Sequence, residues 1–374
     1  MKKYKLLYFV SEDEYFLSHK IFQAKDALDN KFDVKVICNF TTHEKKIRSL
    51  GFKTYNLQFN RKSLNPIINL GYIIKFLKIT NTFKPDIIQC IALKPILITV
   101  ISSFFFSKKI KIINCVVGLG FLFINKSFFS KIIREIYLFL LRVFIKNNVT
   151  FIFQNNDDQK VFKRIGFLKK SNSKIIYGSG VNIKKFKKTK VKKVYDLIFH
   201  SRILKDKGII ELIEALRNLK KKKLLPRTLV LGNPDSKNFA SISKNDLELW
   251  QKEKTIIWKP KVTDVLPYIQ KSRISILPSY REGLPKSLLE AASCSLPIIS
   301  TLVPGCKEIC KNNHNGFLVK PKDHLSLADA IEKLITNKNL IKKFGLKSRE
   351  IVEKKFTDNI ISNEFRKVYK ELLK

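Results

Sequence analysis

Short apolar runs alternate with helical patterns along the whole chain, and this alternation narrows the fold more than any other feature. "YKLLYFV" is followed by the amphipathic "LSHKIFQAKDAL" and then by "FDVKVICNF". "IINLGYIIKFLKIT" reads as a helix before the strand "PDIIQCIA", and "KIKIINCVVG" and "TFIFQNN" add further strands. Such βαβ alternation specifies a parallel sheet with helices on its faces. The pattern restarts at "YDLIFHSRI" and runs through "RTLVLGN", "TIIWKP", "RISILPS" and "LPIIST", with helical segments between them. The basic, aperiodic "KKFKKTKVKK" separates the two halves. The reading is α/β, with two doubly wound domains. Residues 1–185 form the first, 186–192 a linker and 193–355 the second. Residues 356–374 form a C-terminal helix able to cross back to the first.

A length of 374 residues suffices for two separate cores. The formal charge of +42 raises the possibility of a nucleic-acid-binding module. However, Lys far outnumbers Arg, the lysines are dispersed, and no zinc finger, basic zipper or RNP-type motif occurs. Specific nucleic acid is therefore not the expected partner. The same charge attracts anionic lipid head groups and diphosphate-bearing substrates. Six cysteines contain no CxxC pair and sit mostly in apolar contexts, which fits a reduced cytoplasmic protein. The opening "MKKYKLLYFVSEDEYF" reads as a first strand rather than a signal segment, because its apolar run is short and ends in acids. No run of 18 uncharged apolar residues argues for a membrane span.

In open parallel sheets, ligands bind beyond the carboxyl ends of the strands. Two such places carry chemistry. After "RISILPS" comes the loop "YREGL", then Pro285 at the first turn of a helix running through "PKSLLEAAS". Glu282 lies in the loop and Glu290 in the helix, where two carboxylates could accept hydrogen bonds from vicinal hydroxyls. The helix start offers backbone N–H groups to a diphosphate. A solvated loop Glu followed by an ordinary helix Glu would give the same spacing. In "FHSRILKDKGIIELIEAL", Arg202 and Lys207 follow a strand and Gly208 opens a helix. Two fixed cations there could neutralise a leaving diphosphate, or could be solvated charges of a very basic chain.

These stretches, together with "LPSYREGLPKSLLEAASCSLPIISTLVPGCKEIC" and "NGFLVKPKDHLSLADAIEKL", resemble the C-terminal domain of retaining GT-B glycosyltransferases, family 4. The resemblance implies two Rossmann-like domains facing a central cleft. It implies that Glu282 contacts the donor sugar, that Glu290 contacts the ribose, and that Arg202 and Lys207 bind the donor diphosphate. The backbone at Gly283 and Leu284 would lie near the sugar and phosphates. "SEDEYFLSHK", "FNRKSLNP", "VVGLGFLF" and "LGNPDSKNFASISKNDLELWQKEKTIIW" resemble the subgroup that builds capsular, O-antigen and protein-linked glycans on polyprenyl diphosphate. His19 matches a His near the start of that subgroup's first helix, where a packed or capped residue is the other reading. Gly118 and Gly120 match its Gly-x-Gly loop, on the acceptor side. The sequence departs from the pattern at "WKPKVTD", where many relatives carry a Gly, and at "CVVGLG", where many carry a His.

The resemblance implies a hexose or N-acetylhexosamine passing from a UDP-sugar to a lipid-linked glycan with retained configuration. There is no D-x-D triplet, P-loop or G-x-S-x-G elbow, so no metal or other cofactor is expected. An enzyme of this kind would work on the inner face of the cytoplasmic membrane. The aromatic and basic segment 121–148 could lie against anionic lipid or serve as a core helix with charged flanks. A nucleotide-sugar epimerase on the same fold is the rival enzyme.

Overall fold

The computed structural model describes residues 3–60, 63, 65–107, 109–119, 123, 127–145, 148–166, 168, 172–235, 238 and 240–374. Two compact units divide the chain: Met1–Ser179 with Asp358–Lys374, and Gly180–Thr357.

The first unit holds a parallel sheet in the order β3-β2-β1-β4-β5-β6-β7. Its strands are β1 (Lys5–Glu12), β2 (Asp33–Asn39), β3 (Lys53–Asn56), β4 (Ile87–Ile91), β5 (Lys111–Val116), β6 (Val149–Phe153) and β7 (Ser173–Ile175). Side chains alternate between the faces of a strand, so β1 feeds two cores. Leu7 and Phe9 point into one, and Leu6, Tyr8 and Val10 into the other. Helices Pro66–Phe83, Leu93–Ser102 and Phe128–Phe144 cover the first core. The second core is covered by helix Ile21–Asp29 and by the C-terminal helix Asp358–Leu372. Ile361, Phe365, Val368 and Tyr369 recur at helical spacing, and this apolar stripe returns the chain end to the first unit. The Tyr369 hydroxyl lies 2.9 Å from that of Tyr8 and donates to Gln89 Oε1 at 2.5 Å, while Arg366 pairs with Asp26.

The second unit has a parallel sheet in the order β10-β9-β8-β11-β12-β13. Its strands are β8 (Tyr195–His200), β9 (Thr228–Leu231), β10 (Ile257–Lys259), β11 (Ser272–Leu277), β12 (Ile298–Thr301) and β13 (Gly316–Val319). Strand order reverses between β8 and β11, and between β1 and β4 in the first sheet. A doubly wound sheet opens a ligand crevice at such a point. The boundary expected after residue 185 lies at Ser179/Gly180 instead, and residues 186–192 lie inside the second unit. Within the second unit, the Arg349 guanidinium donates to the carbonyls of Ile183, Phe186 and Ser293, tying this stretch to it.

Of segment 121–148, residues 123, 127–145 and 148 are described, and the helix Phe128–Phe144 has two apolar faces. Tyr137, Leu138 and Leu141 enter the core. Phe128, Phe129, Ile132, Ile136, Phe139 and Val143 form a second stripe, each between 41% and 79% exposed. No helix among the described residues is long and apolar enough to cross a membrane.

Candidate active site

Three strand ends of the second unit converge on one set of side chains. After β8 the chain makes a short turn, Lys205–Lys207, and Gly208 starts helix Ile209–Lys221 with φ +76°. A Cβ at Gly208 would lie 2.1 Å from the Pro278 carbonyl oxygen, so only glycine lets the β8 turn meet the loop after β11. Tyr280 N–H donates to the Asp206 carbonyl across the same contact, at 2.9 Å. After β12, Gly305 with φ +77° also packs too close for a side chain, its built Cβ lying 2.5 Å from the Gly283 carbonyl oxygen. Thr301 Oγ1 donates to the Ser279 carbonyl. The loop 279–285 is thus held from both sides by backbone contacts.

This packing joins two residues 75 apart in sequence. Lys207 Nζ donates to Glu282 Oε1 at 2.6 Å, and Ser279 Oγ donates to the same oxygen at 2.8 Å. Leu284 is buried behind the loop. Pro285 is the N-cap rather than a first-turn residue, and helix Lys286–Ser293 follows it. No side chain caps this helix start and its first turn has no acidic residue, which leaves its positive dipole end to a ligand. Cys306 lies beneath, its thiol pushed up to about 12 by burial and then by Glu282, so it packs as a neutral group. All six cysteines are unpaired and buried.

Glu290 lies in the same helix but does not join the Lys207–Glu282 pair. Its Oε2 is 3.6 Å from His200 Nε2 and its Oε1 3.8 Å from Lys286 Nζ. Arg202 also stands apart. Its Nη1 reaches Asp235 Oδ2, after β9, at 3.3 Å, and the side chain is 59% exposed. The sequence reading identified neither His200 nor Asp235. A titratable residue closing an otherwise apolar strand at the switch point was the available signal for His200. Asp235 carried no local signal, since a turn after β9 brings it to Arg202.

In the first unit, His19 closes helix Asp13–His19 rather than opening the first helix, and the chain breaks at Lys20 before Ile21–Asp29. Its ring stacks on Tyr15 at 4.2 Å, and its Nδ1 lies 2.7 Å from Ser18 Oγ. Gly118 follows β5 with φ +127°, a glycine conformation, while Gly120 lies outside the described residues. Among the described residues no group of three His, Cys, Asp or Glu side chains is placed to hold a metal ion.

Two family models match this arrangement almost end to end: glycosyl transferase 4-like over residues 5–155, and glycosyl transferases group 1 over residues 181–351. This chain belongs to the group 1 glycosyltransferases. The glycosyltransferase is similar to the N,N'-diacetylbacillosaminyl-diphospho-undecaprenol alpha-1,3-N-acetylgalactosaminyltransferase of Campylobacter jejuni, at 27% identity over 92% of this chain and 93% of that one. It is 32% identical to the capsular polysaccharide biosynthesis glycosyltransferase CapM of Staphylococcus aureus, over 46% of this chain and 45% of the other. Its fold is that of a glycosyltransferase from Rickettsia africae, with a TM-score of 0.77 at 20% identity and 100% of both chains covered. The fold also matches Anabaena HepE in complex with UDP, with a TM-score of 0.78 at 15% identity, covering 98% of this chain and 100% of that one. Nothing in these relatives supports the epimerase reading.

Proposed function

We propose that this glycosyltransferase moves a hexose or N-acetylhexosamine from a UDP-sugar to a polyprenyl-diphosphate-linked glycan, with retention and without a metal ion, in surface polysaccharide or glycoprotein glycan synthesis. The observation that carries the reading is the Lys207–Glu282 pair, set where β8, β11 and β12 end. When a nucleoside diphosphate leaves, negative charge grows on the phosphate oxygens, and catalysis needs fixed positive charge there beforehand. Lys207 supplies it at a fixed position because Glu282 and Ser279 hold the carboxylate–ammonium geometry before any donor arrives. Arg202 and the start of helix Lys286–Ser293 add to it. Glu282 Oε2 then has lone pairs for a donor-sugar hydroxyl, and Glu290 serves the ribose, with the backbone of Gly283 and Leu284 alongside. The acceptor hydroxyl attacks on the face from which the diphosphate departs, and the departing phosphate oxygen takes its proton.

On the acceptor side, Gly118 follows β5 and His19 ends the short helix after β1. The relative from Campylobacter carries diphospho-undecaprenol in its name, and a lipid-linked acceptor here requires contact with a bilayer. We place the enzyme peripherally on the inner face of the cytoplasmic membrane. The support is the exposed stripe of helix Phe128–Phe144, flanked by Lys131 and Arg142. Helices Pro66–Phe83, Leu93–Ser102 and Phe128–Phe144 together contain a single acidic residue, Glu135.

Calorimetry with UDP, GDP and ADP in EDTA tests the donor half. Selective UDP binding that Glu290→Ala weakens is the expected result. Preference for another nucleotide changes the donor class, and no nucleotide binding by the folded chain removes the donor site.

A further inference from the structure

His200 ends β8 at the switch point, and its side chain is 7% exposed. Its Nε2 atom is buried and, among the described residues, has no hydrogen-bond partner. Burying such an atom unpaired is costly, and native structures resolve the cost with a ligand or a water. Glu290 is its neighbour. The Nε2–Oε2 separation of 3.6 Å exceeds a direct hydrogen bond but leaves room for an oxygen about 2.8–3.0 Å from both atoms. Glu290 is itself 13% exposed, so its carboxylate remains open to such a ligand. Lys286 Nζ lies 3.8 Å from the other carboxylate oxygen.

We propose that His200 is a second ligand of the donor ribose: one ribose hydroxyl donates to Glu290 Oε2 and accepts from His200 Nε2–H. A hydroxyl is the group that fits, because it can donate to the carboxylate and accept from the imidazole at once. An apolar residue at this strand end would leave the diphosphate and base contacts in place and lose only this one. His200 therefore sets the preference for a ribonucleotide over its deoxy form. The inference rests on Glu290 being the ribose carboxylate.

The test measures UDP, 2′-deoxy-UDP and 3′-deoxy-UDP affinities for the full chain and for His200→Leu, His200→Gln and Glu290→Gln, with thermal melts of each. The wild type is expected to bind UDP about tenfold more tightly than one of the deoxy forms. His200→Leu loses that preference, on the order of tenfold in UDP affinity, while its affinity for that deoxy form stays as in the wild type. His200→Gln, which keeps an N–H donor, recovers part of the preference. Equal weakening of all three nucleotides by His200→Leu and His200→Gln assigns His200 a packing role and overturns the proposal. A normal UDP affinity in Glu290→Gln removes the ribose reading itself, and the proposal falls with it. Sensitivity to Glu290→Gln combined with indifference to both His200 variants overturns the proposal alone.

Discussion

Lys207 and Glu282 form an ion pair of 2.6 Å whose side chains are 14% and 12% exposed, although one follows β8 and the other β11. A pair so withdrawn from water is strongly destabilising to break on one side, since the remaining charge stays buried. Lys207→Met is therefore expected to lower stability by about 3 kcal/mol. Adding Glu282→Gln should restore most of that loss. Turnover should not return, because the double variant still lacks the diphosphate cation. Denaturant melts and single-turnover rates on the wild type and both variants check this. Recovery of both stability and turnover in the double variant would show the pair to be structural.

Arg202 offers the complementary case. At 59% exposed and paired with Asp235 at 3.3 Å, it adds little to the fold. Arg202→Ala is expected to leave the melting temperature within a degree or two while turnover falls on the order of 100-fold. The fall should be in kcat more than in KM, because the charge it meets grows in the transition state. Near-normal kcat with the sugar donor rules out the role.

Both sheets were legible because central strands bury both faces. "IIQCI" is buried at all five positions and "RISIL" at four of five, Arg273 being the exposed one, so apolar residues fill most of each run. The strands that the sequence does not announce are β3, β7 and β13, each at the edge of a sheet. β3 reads "KTYN", three of whose four residues are exposed, and an edge strand with so little burial need not be apolar. The site divides in the same way. Lys207 and Glu282 follow strands, and Glu290 lies in the helix after the second of them, at spacings that local pattern can find. That Lys207 meets Glu282 rather than Glu290 depends on the Gly208–Pro278 and Gly305–Gly283 contacts, which only three-dimensional packing supplies.

Gly208 makes that dependence measurable. A methyl group would meet the Pro278 carbonyl at 2.1 Å, on a backbone with φ +76°. Both effects act in the same direction, and Gly208→Ala should cost at least about 2 kcal/mol. It should also push the β8 turn away from the loop after β11, so nucleotide affinity falls further than the lost stability explains. A Gly208→Ala chain with wild-type melting and wild-type UDP affinity contradicts the packing argument.

Asp13 predicts how the first unit responds to acid. Burial raises its pKa, but N–H groups of His43, Thr41, Thr42 and Glu14 donate to the carboxylate and outweigh burial, so the net shift is downward. A depressed folded-state pKa contributes stability that is present above the unfolded value and lost as pH falls through the folded one. Asp13→Asn should therefore be less stable than the wild type at neutral pH, and the two should converge as the pH drops through the carboxylate range. A difference that stays constant with pH would assign the loss to packing rather than charge.

The exposed stripe on helix Phe128–Phe144 separates a lipid surface from a second copy of the chain as the face's partner. A two-fold contact through this face would bring its own cations, Lys131 and Arg142 among them, against one another with only Glu135 to offset them. An anionic bilayer accepts both the apolar stripe and the cations. Ile136 and Phe139 are 54% and 61% exposed, so Ile136→Asp/Phe139→Asp should leave the fold intact. Co-sedimentation with vesicles of phosphatidylglycerol and phosphatidylcholine should fall by about tenfold or more in that variant, as burial of two large side chains is lost. Binding should also weaken with added salt in the wild type. Transfer to a water-soluble acceptor analogue should be unchanged, because the substitutions lie on the helix face turned away from the sheet. Unaltered vesicle binding, or a wild-type dimer that the variant converts to monomer without any change in sedimentation, assigns the stripe to a protein contact instead.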